Sequence, residues 1–240
     1  MINFFKNKLS SKKYNNIISN YRRTITNKFL IKNTGLFIGD KALYKIVKIF
    51  EILKSIKKVN GEIIEFGVWN GNNLVTIKKL IDYLEMNKEV IGYDNFRGMK
   101  KADEGNLFKG NLNLLTYIIK FFKLSKVRLI RDDILNLKRN LKKIPKLSLI
   151  YIDCDMYDTT KIILDLLNKK LSKKGLIVFD EAILGNGGEG KAAKLFYKKN
   201  KSKFKEITLK KYYQPDYILE KKKDKINLIK LFFKIYTYLR

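Results

Sequence analysis

Histidine is absent from all 240 residues, and this removes more chemistry than any other feature of the composition. Without imidazole there is no Ser-His-Asp triad, no histidine general base and no histidine-ligated zinc or iron site. Reactive groups must come from carboxylates, lysine, tyrosine or a bound metal. Cysteine occurs once, as Cys154, so no internal disulfide can form, which fits a reducing, cytoplasmic setting. The two prolines are too few to mark an interdomain linker. No stretch reaches the roughly eighteen apolar residues of a membrane-spanning helix, so membrane contact is expected to be peripheral at most. Residues 1–11 carry Lys6 and Lys8 but lack the apolar run and cleavage site of a secretory signal. No fixed-period repeat is present.

Arginine is also scarce, supplying seven of the 52 basic residues behind a net charge of +29. Base readout and phosphate forks favour arginine. Lysines spread through every segment, beside abundant Ile and Asn, point instead to a compositional bias. No nucleic acid partner is therefore expected.

What remains suits one α/β domain with terminal extensions, since hydrophobic residues make up 45% of the chain. Residues 1–58 read as a helical cap, with an apolar period from Leu43 to Ile56. From Glu62 short apolar runs alternate with helical stretches, the pattern of βα units in a doubly wound, mostly parallel sheet. Strands are expected at Ile63–Phe66, Val90–Asp94, Val127–Arg131, Leu147–Asp153, Leu176–Asp180, Lys205–Leu209 and Tyr217–Leu219. Helices are expected at Asn72–Leu84, Leu112–Phe122, Thr159–Leu171 and Gly190–Asn200, with Gly175 ending the third of these. Asn95–Asn111, punctuated by Gly98, Gly105 and Gly110, has no periodicity and reads as a mobile lid. The main domain covers 59–220. Residues 221–240 alternate basic and apolar positions as an amphipathic extension, for which core packing or a contact in a homo-oligomer is favoured over membrane attachment.

Strand ends carry the chemistry. Glu65-Phe66-Gly67-Val68-Trp69-Asn70-Gly71 runs from a strand into a helix, where Gly67 and Gly71 let backbone pass close to a ligand and Glu65 can bind an ammonium group. The helix start offers amides to a carboxylate. Asp94 ends the next strand, positioned for ribose hydroxyls, and Asp133 follows the third, positioned for an adenine amine. That order describes S-adenosylmethionine better than a dinucleotide. The spacing of Gly185, Gly187 and Gly190 comes too late in the chain for a pyrophosphate fingerprint and reads as a loop. Tyr44 and Lys48, spaced like a reductase pair, lie ahead of the sheet. At the fourth and fifth strand ends, Asp153, Asp155, Asp180 and Glu181 gather four acids. Such crowding calls for protons or a hard cation such as Mg²⁺.

These segments, together with Tyr93-Asp94-Asn95-Phe96-Arg97-Gly98-Met99, Ile152-Asp153-Cys154-Asp155-Met156-Tyr157-Asp158-Thr159-Thr160-Lys161 and Gly175-Leu176-Ile177-Val178-Phe179-Asp180-Glu181, resemble the macrocin O-methyltransferase-like (TylF-type) sugar methyltransferases of the class I S-adenosylmethionine-dependent enzymes. The resemblance covers residues 60–200. It implies a seven-stranded Rossmann-like methyltransferase fold and cofactor contacts at Glu65, Gly67, Asp94 and Asp133, with Trp69, Gly71, Asn95 and Asp153 in the same site. It implies magnesium on Asp153, Asp180 and Glu181, the last standing where the family has a second Asp. Asp155 resembles the family's second acid, and Asp153 or Asp155 is expected to take the proton of a sugar hydroxyl. The substrate would be a nucleotide sugar, a glycan or a glycosylated small molecule. The rival reading is an RNA-binding protein or RNA methyltransferase working through the basic surface.

Overall fold

The computed structural model describes residues 32–101, 105–183, 188–207 and 214–223. Two compact units divide at residue 47. In the first lies helix α1 (Thr34–Phe37), and helix α2 (Asp40–Ser55) continues into the second.

The second unit is built on a seven-stranded sheet. Its strands are β1 (Glu62–Phe66), β2 (Val90–Asp94), β5 (Val127–Arg131), β6 (Leu147–Ile152), β7 (Leu171–Phe179), β8 (Phe204–Ile207) and β9 (Tyr217–Lys221), in spatial order β5-β2-β1-β6-β7-β9-β8. All pairings from β5 to β7 are parallel, and only β9 runs against its neighbours. Helices α3 (Asn72–Tyr83), α4 (Leu112–Phe121), α6 (Tyr157–Leu167) and α7 (Gly188–Asn200) make the crossovers, with a short helix α5 (Leu137–Asn140) after β5.

Alternation along the strands explains the layers. Ile63, Leu149, Tyr151, Leu176 and Val178 project to one face and pack with Ile49, Ile52 and Leu53 of α2 and Leu74, Ile77 and Ile81 of α3. Ile64, Phe66, Ile150, Ile152, Ile177 and Phe179 project to the other, against Ile163, Leu164 and Leu167 of α6 and Phe196 of α7. A sheet covered on both sides must be apolar almost throughout, and all six residues of β6 are buried. The class I methyltransferase fold expected from sequence is thus present.

Three local expectations change. Asn95–Asn111 is not wholly irregular, because β3 (Met99–Lys101) pairs with β4 (Gly105–Leu107) as an antiparallel hairpin. Gly175 does not end a helix: α6 stops at Leu167, and Gly175 lies inside the nine-residue β7. Between the pairs Leu147↔Leu171 and Leu149↔Leu176 the register slips, with Lys174 at φ 62. A Cβ on Gly175 would stand 2.7 Å from Leu171 Cδ1, so glycine marks a tight bulge. Gly190, read with Gly185 and Gly187 as loop, belongs to the first turn of α7, while the other two lie outside the described residues. Of the basic C-terminal segment, Lys221 closes β9 and residues 224–240 lie outside the described residues. Among the described residues no helix is long and apolar enough to cross a membrane.

Candidate active site

Chain order reverses between β1 and β6, and the strand ends at such a switch are the usual ligand position in a doubly wound sheet. Gly67 sits at that switch with φ +84, and a Cβ on it would stand 1.8 Å from the carbonyl oxygen of Asp153. The two central strand ends touch backbone to backbone, which only glycine permits. Asp153 in turn donates its amide to the Phe66 carbonyl at 2.9 Å.

Beyond Gly67 the chain turns through Trp69 (φ 50) and Gly71 (φ 84) into α3. Asp94 organises this turn: its Oδ2 accepts the Trp69 amide at 2.8 Å and its Oδ1 the Phe96 amide at 2.6 Å. Asn95 caps the next turn by accepting the Arg97 amide at 2.7 Å. Glu65, 1% exposed, lies beneath and accepts from Asn73 Nδ2 at 3.0 Å. Trp69 is 47% exposed and meets Phe108 edge to face at 6.1 Å. Asn111 donates its amide to Asn70 Oδ1 at 3.0 Å, so the segment following the hairpin closes back onto the glycine turn.

The paired acids after β5 have separate roles. Asp132 is an internal cross-link, accepting from Asn136 and the Asp133 amide at Oδ1 and from Asn140 at Oδ2. Those donors hold its pKa below the ordinary carboxylate value. Asp133 is exposed and accepts the Leu135 amide at 2.9 Å. The acid beside Asp133 is thus satisfied by amide donors.

At the ends of β6 and β7, Ile152 pairs with Phe179, and the Asp180 amide donates to the Ile152 carbonyl at 3.0 Å. The ladder therefore brings Asp153 and Asp180 level on neighbouring strands, on the face that carries Tyr151. Asp180 is 2% exposed and accepts the Tyr151 hydroxyl. Burial, then the charges of Asp180 and Asp153, push that phenol's pKa well up, so Tyr151 stays a donor. Glu181 accepts from Gln214 Nε2. Asp155, at φ 58, is half-buried.

Oxygen donors at adjacent strand ends are the right chemistry for a hard divalent cation. Among the described residues, however, no group of three or more His, Cys, Asp or Glu is placed to hold a metal ion. Asp153 and Asp180 are level with one another, whereas Glu181 is engaged by Gln214, so the three-carboxylate set expected from sequence is not assembled.

Two contributors went unread in the sequence. Lys48, far from a reductase pair, donates Nζ to the Pro215 carbonyl at 2.7 Å, its pKa lowered by burial and supported by the charges of Asp216 and Asp180. A lysine bordering the apolar stripe of α2 was its one visible signal. Glu189, 1% exposed, accepts backbone amides from Cys154, Asp155 and Glu181. Burial raises its pKa to about 8 against those hydrogen bonds.

The sequence profile described as Macrocin-O-methyltransferase (TylF) matches residues 6–207. The chain belongs to the macrocin O-methyltransferase family. Its relatives in this family are enzymes that methylate oxygen, and sugar O-methylation is the family's setting. No curated protein sequence matches. Among solved structures, that of CalS11, named a TDP-rhamnose 3'-O-methyltransferase of calicheamicin biosynthesis, has a TM-score of 0.68 at 20% identity, covering 88% of this chain and 92% of that one. The O-methyltransferase NovP gives 0.57 at 19% identity, over 77% and 81%. An O-methyltransferase from Bacillus cereus, solved in complex with SAH, gives 0.56 at 12% identity, over 88% and 97%. At these identities the structural likeness shows the shared class I methyltransferase fold and nothing finer.

Proposed function

We propose that this chain transfers the methyl group of S-adenosylmethionine to a hydroxyl of a sugar, whether nucleotide-linked, part of a glycan or attached to a small molecule. One observation carries the reading: Asp94 holds the glycine turn after β1, and that turn is joined to the level pair Asp153 and Asp180 where Gly67 meets Asp153. The nucleotide-sugar acceptor for which CalS11 is named supports a sugar acceptor here by analogy.

In this reading Gly67, Trp69 and Gly71 shape the donor pocket and Glu65 binds the ammonium. Asp94 takes the ribose hydroxyls, with Asn95 beside it, and Asp133 takes the adenine amine. The sugar oxygen attacks the methyl carbon, the sulfur–methyl bond breaks, and neutral S-adenosylhomocysteine departs. The hydroxyl proton passes to Asp153 or Asp155. Lining up oxygen, methyl carbon and sulfur supplies most of the rate, and closure of the 95–111 segment excludes water. Asp153 also borders the donor.

The test is a panel of nucleotide sugars and glycans incubated with methyl-labelled donor, with and without Mg²⁺, scored by mass spectrometry. A gain of one methyl group on a sugar is the expected result. Donor binding without transfer to any sugar would overturn the proposal.

A further inference from the structure

Both acidic tips are fastened to one side chain that belongs to neither. The Glu189 carboxylate accepts the Cys154 amide at 3.1 Å and the Asp155 amide at 3.3 Å through Oε2, and the Glu181 amide at 3.2 Å through Oε1. Its own amide returns a bond to the Asp155 carbonyl at 3.3 Å. One carboxylate thus bridges the segment after β6 and the segment after β7.

The flanking glycines bring it there. A Cβ on Gly188 would stand 2.2 Å from the Tyr157 amide nitrogen, and a Cβ on Gly190 would stand 2.0 Å from the Ala182 carbonyl oxygen. The first turn of α7 is therefore pressed against both segments at once, with Glu189 between them. Its two oxygens between them accept three backbone N–H groups, one from each of three residues on the two tips.

We propose that Glu189 is a positioning residue for methyl transfer, tying the tips of β6 and β7 together and thereby fixing Asp155 and Glu181 relative to each other. It touches neither donor nor acceptor and acts through those two residues. The inference rests on the reading of these strand tips as the acceptor site.

The test compares the full-length protein with Glu189→Gln, which keeps size but replaces one acceptor oxygen with an amide donor facing N–H groups. Three quantities are read: hydrogen-exchange protection of the 154, 155 and 181 amides, donor affinity by calorimetry, and kcat on whichever sugar the panel identifies. Protection at these amides falls, kcat falls at least tenfold, and donor Kd stays within about twofold. Should Glu189→Gln fail to fold, Glu189→Asp keeps a carboxyl group, reaches one tip only, and is held to the same expectations. Unchanged protection overturns the clamp. Lost protection with kcat within twofold of wild type overturns its positioning role, as does a parallel loss of donor affinity. A wild-type protein inactive on every sugar sinks the functional reading and the positioning role together, while amide protection still reports separately on the clamp.

Discussion

At Asp94 both carboxylate oxygens hold backbone amides, those of Trp69 and Phe96. Asp94→Asn keeps the shape but turns one acceptor into a donor, so the turn loosens where the donor's ribose is expected. Hydrogen bonds to charged groups contribute about 1.5–3 kcal/mol, and calorimetry should show S-adenosylmethionine binding weakened about tenfold or more. Gly67→Ala tests the backbone contact with Asp153. Its methyl group has no room, and overpacking costs ~1–3 kcal/mol before left-handed strain is added; a lower midpoint in urea is expected, with donor affinity lost. Cys154 is 7% exposed, and its thiol pKa is pushed well up by burial first, then by the charges of Glu189, Asp153 and Asp94. Only the thiolate reacts. Iodoacetamide at pH 8 should leave the folded protein unmodified and label it in urea; rapid labelling of native protein would contradict this environment.

Among the elements, those with local causes were legible. Val90–Asp94 and Val127–Arg131 stand where their apolar runs put them, and the strand-end acids follow from their positions. Gly175 was misread because a glycine after a helical stretch ordinarily signals a cap; only the distant partner β6 reveals the slipped register. The hairpin of β3 and β4 has three-residue strands, too short for alternation to register. Glu189 was missed because its three partners come from elsewhere in the chain, and a carboxylate in a first helical turn ordinarily complements the dipole. Helix α4 offers an element-level test. Asn111 caps it by accepting the Leu114 amide at 3.0 Å. Asn111→Ala should cost about 1 kcal/mol, lower Tm by about 2–4 °C and loosen the 95–111 segment, measurable as a raised donor dissociation rate.

For the molecule as a whole, a net charge of +29 shared mostly among lysines predicts weak, sequence-blind attraction to polyanions. Raising salt from about 50 to about 300 mM should abolish RNA retention on a filter while leaving methyl transfer to sugar within about twofold. Activity that followed RNA binding downward would revive the nucleic-acid reading. The reversed direction of β9 also has a genetic corollary. Because that strand enters where its neighbours leave, Gln214 reaches Glu181, and Asp216 accepts the amides of Ala182 at 2.8 Å and Ile183 at 2.9 Å. A stop codon just upstream of position 214 would leave Asp94, Asp153, Asp155, Asp180 and Glu181 all encoded and still strip away the late-translated scaffold beneath residues 181–183.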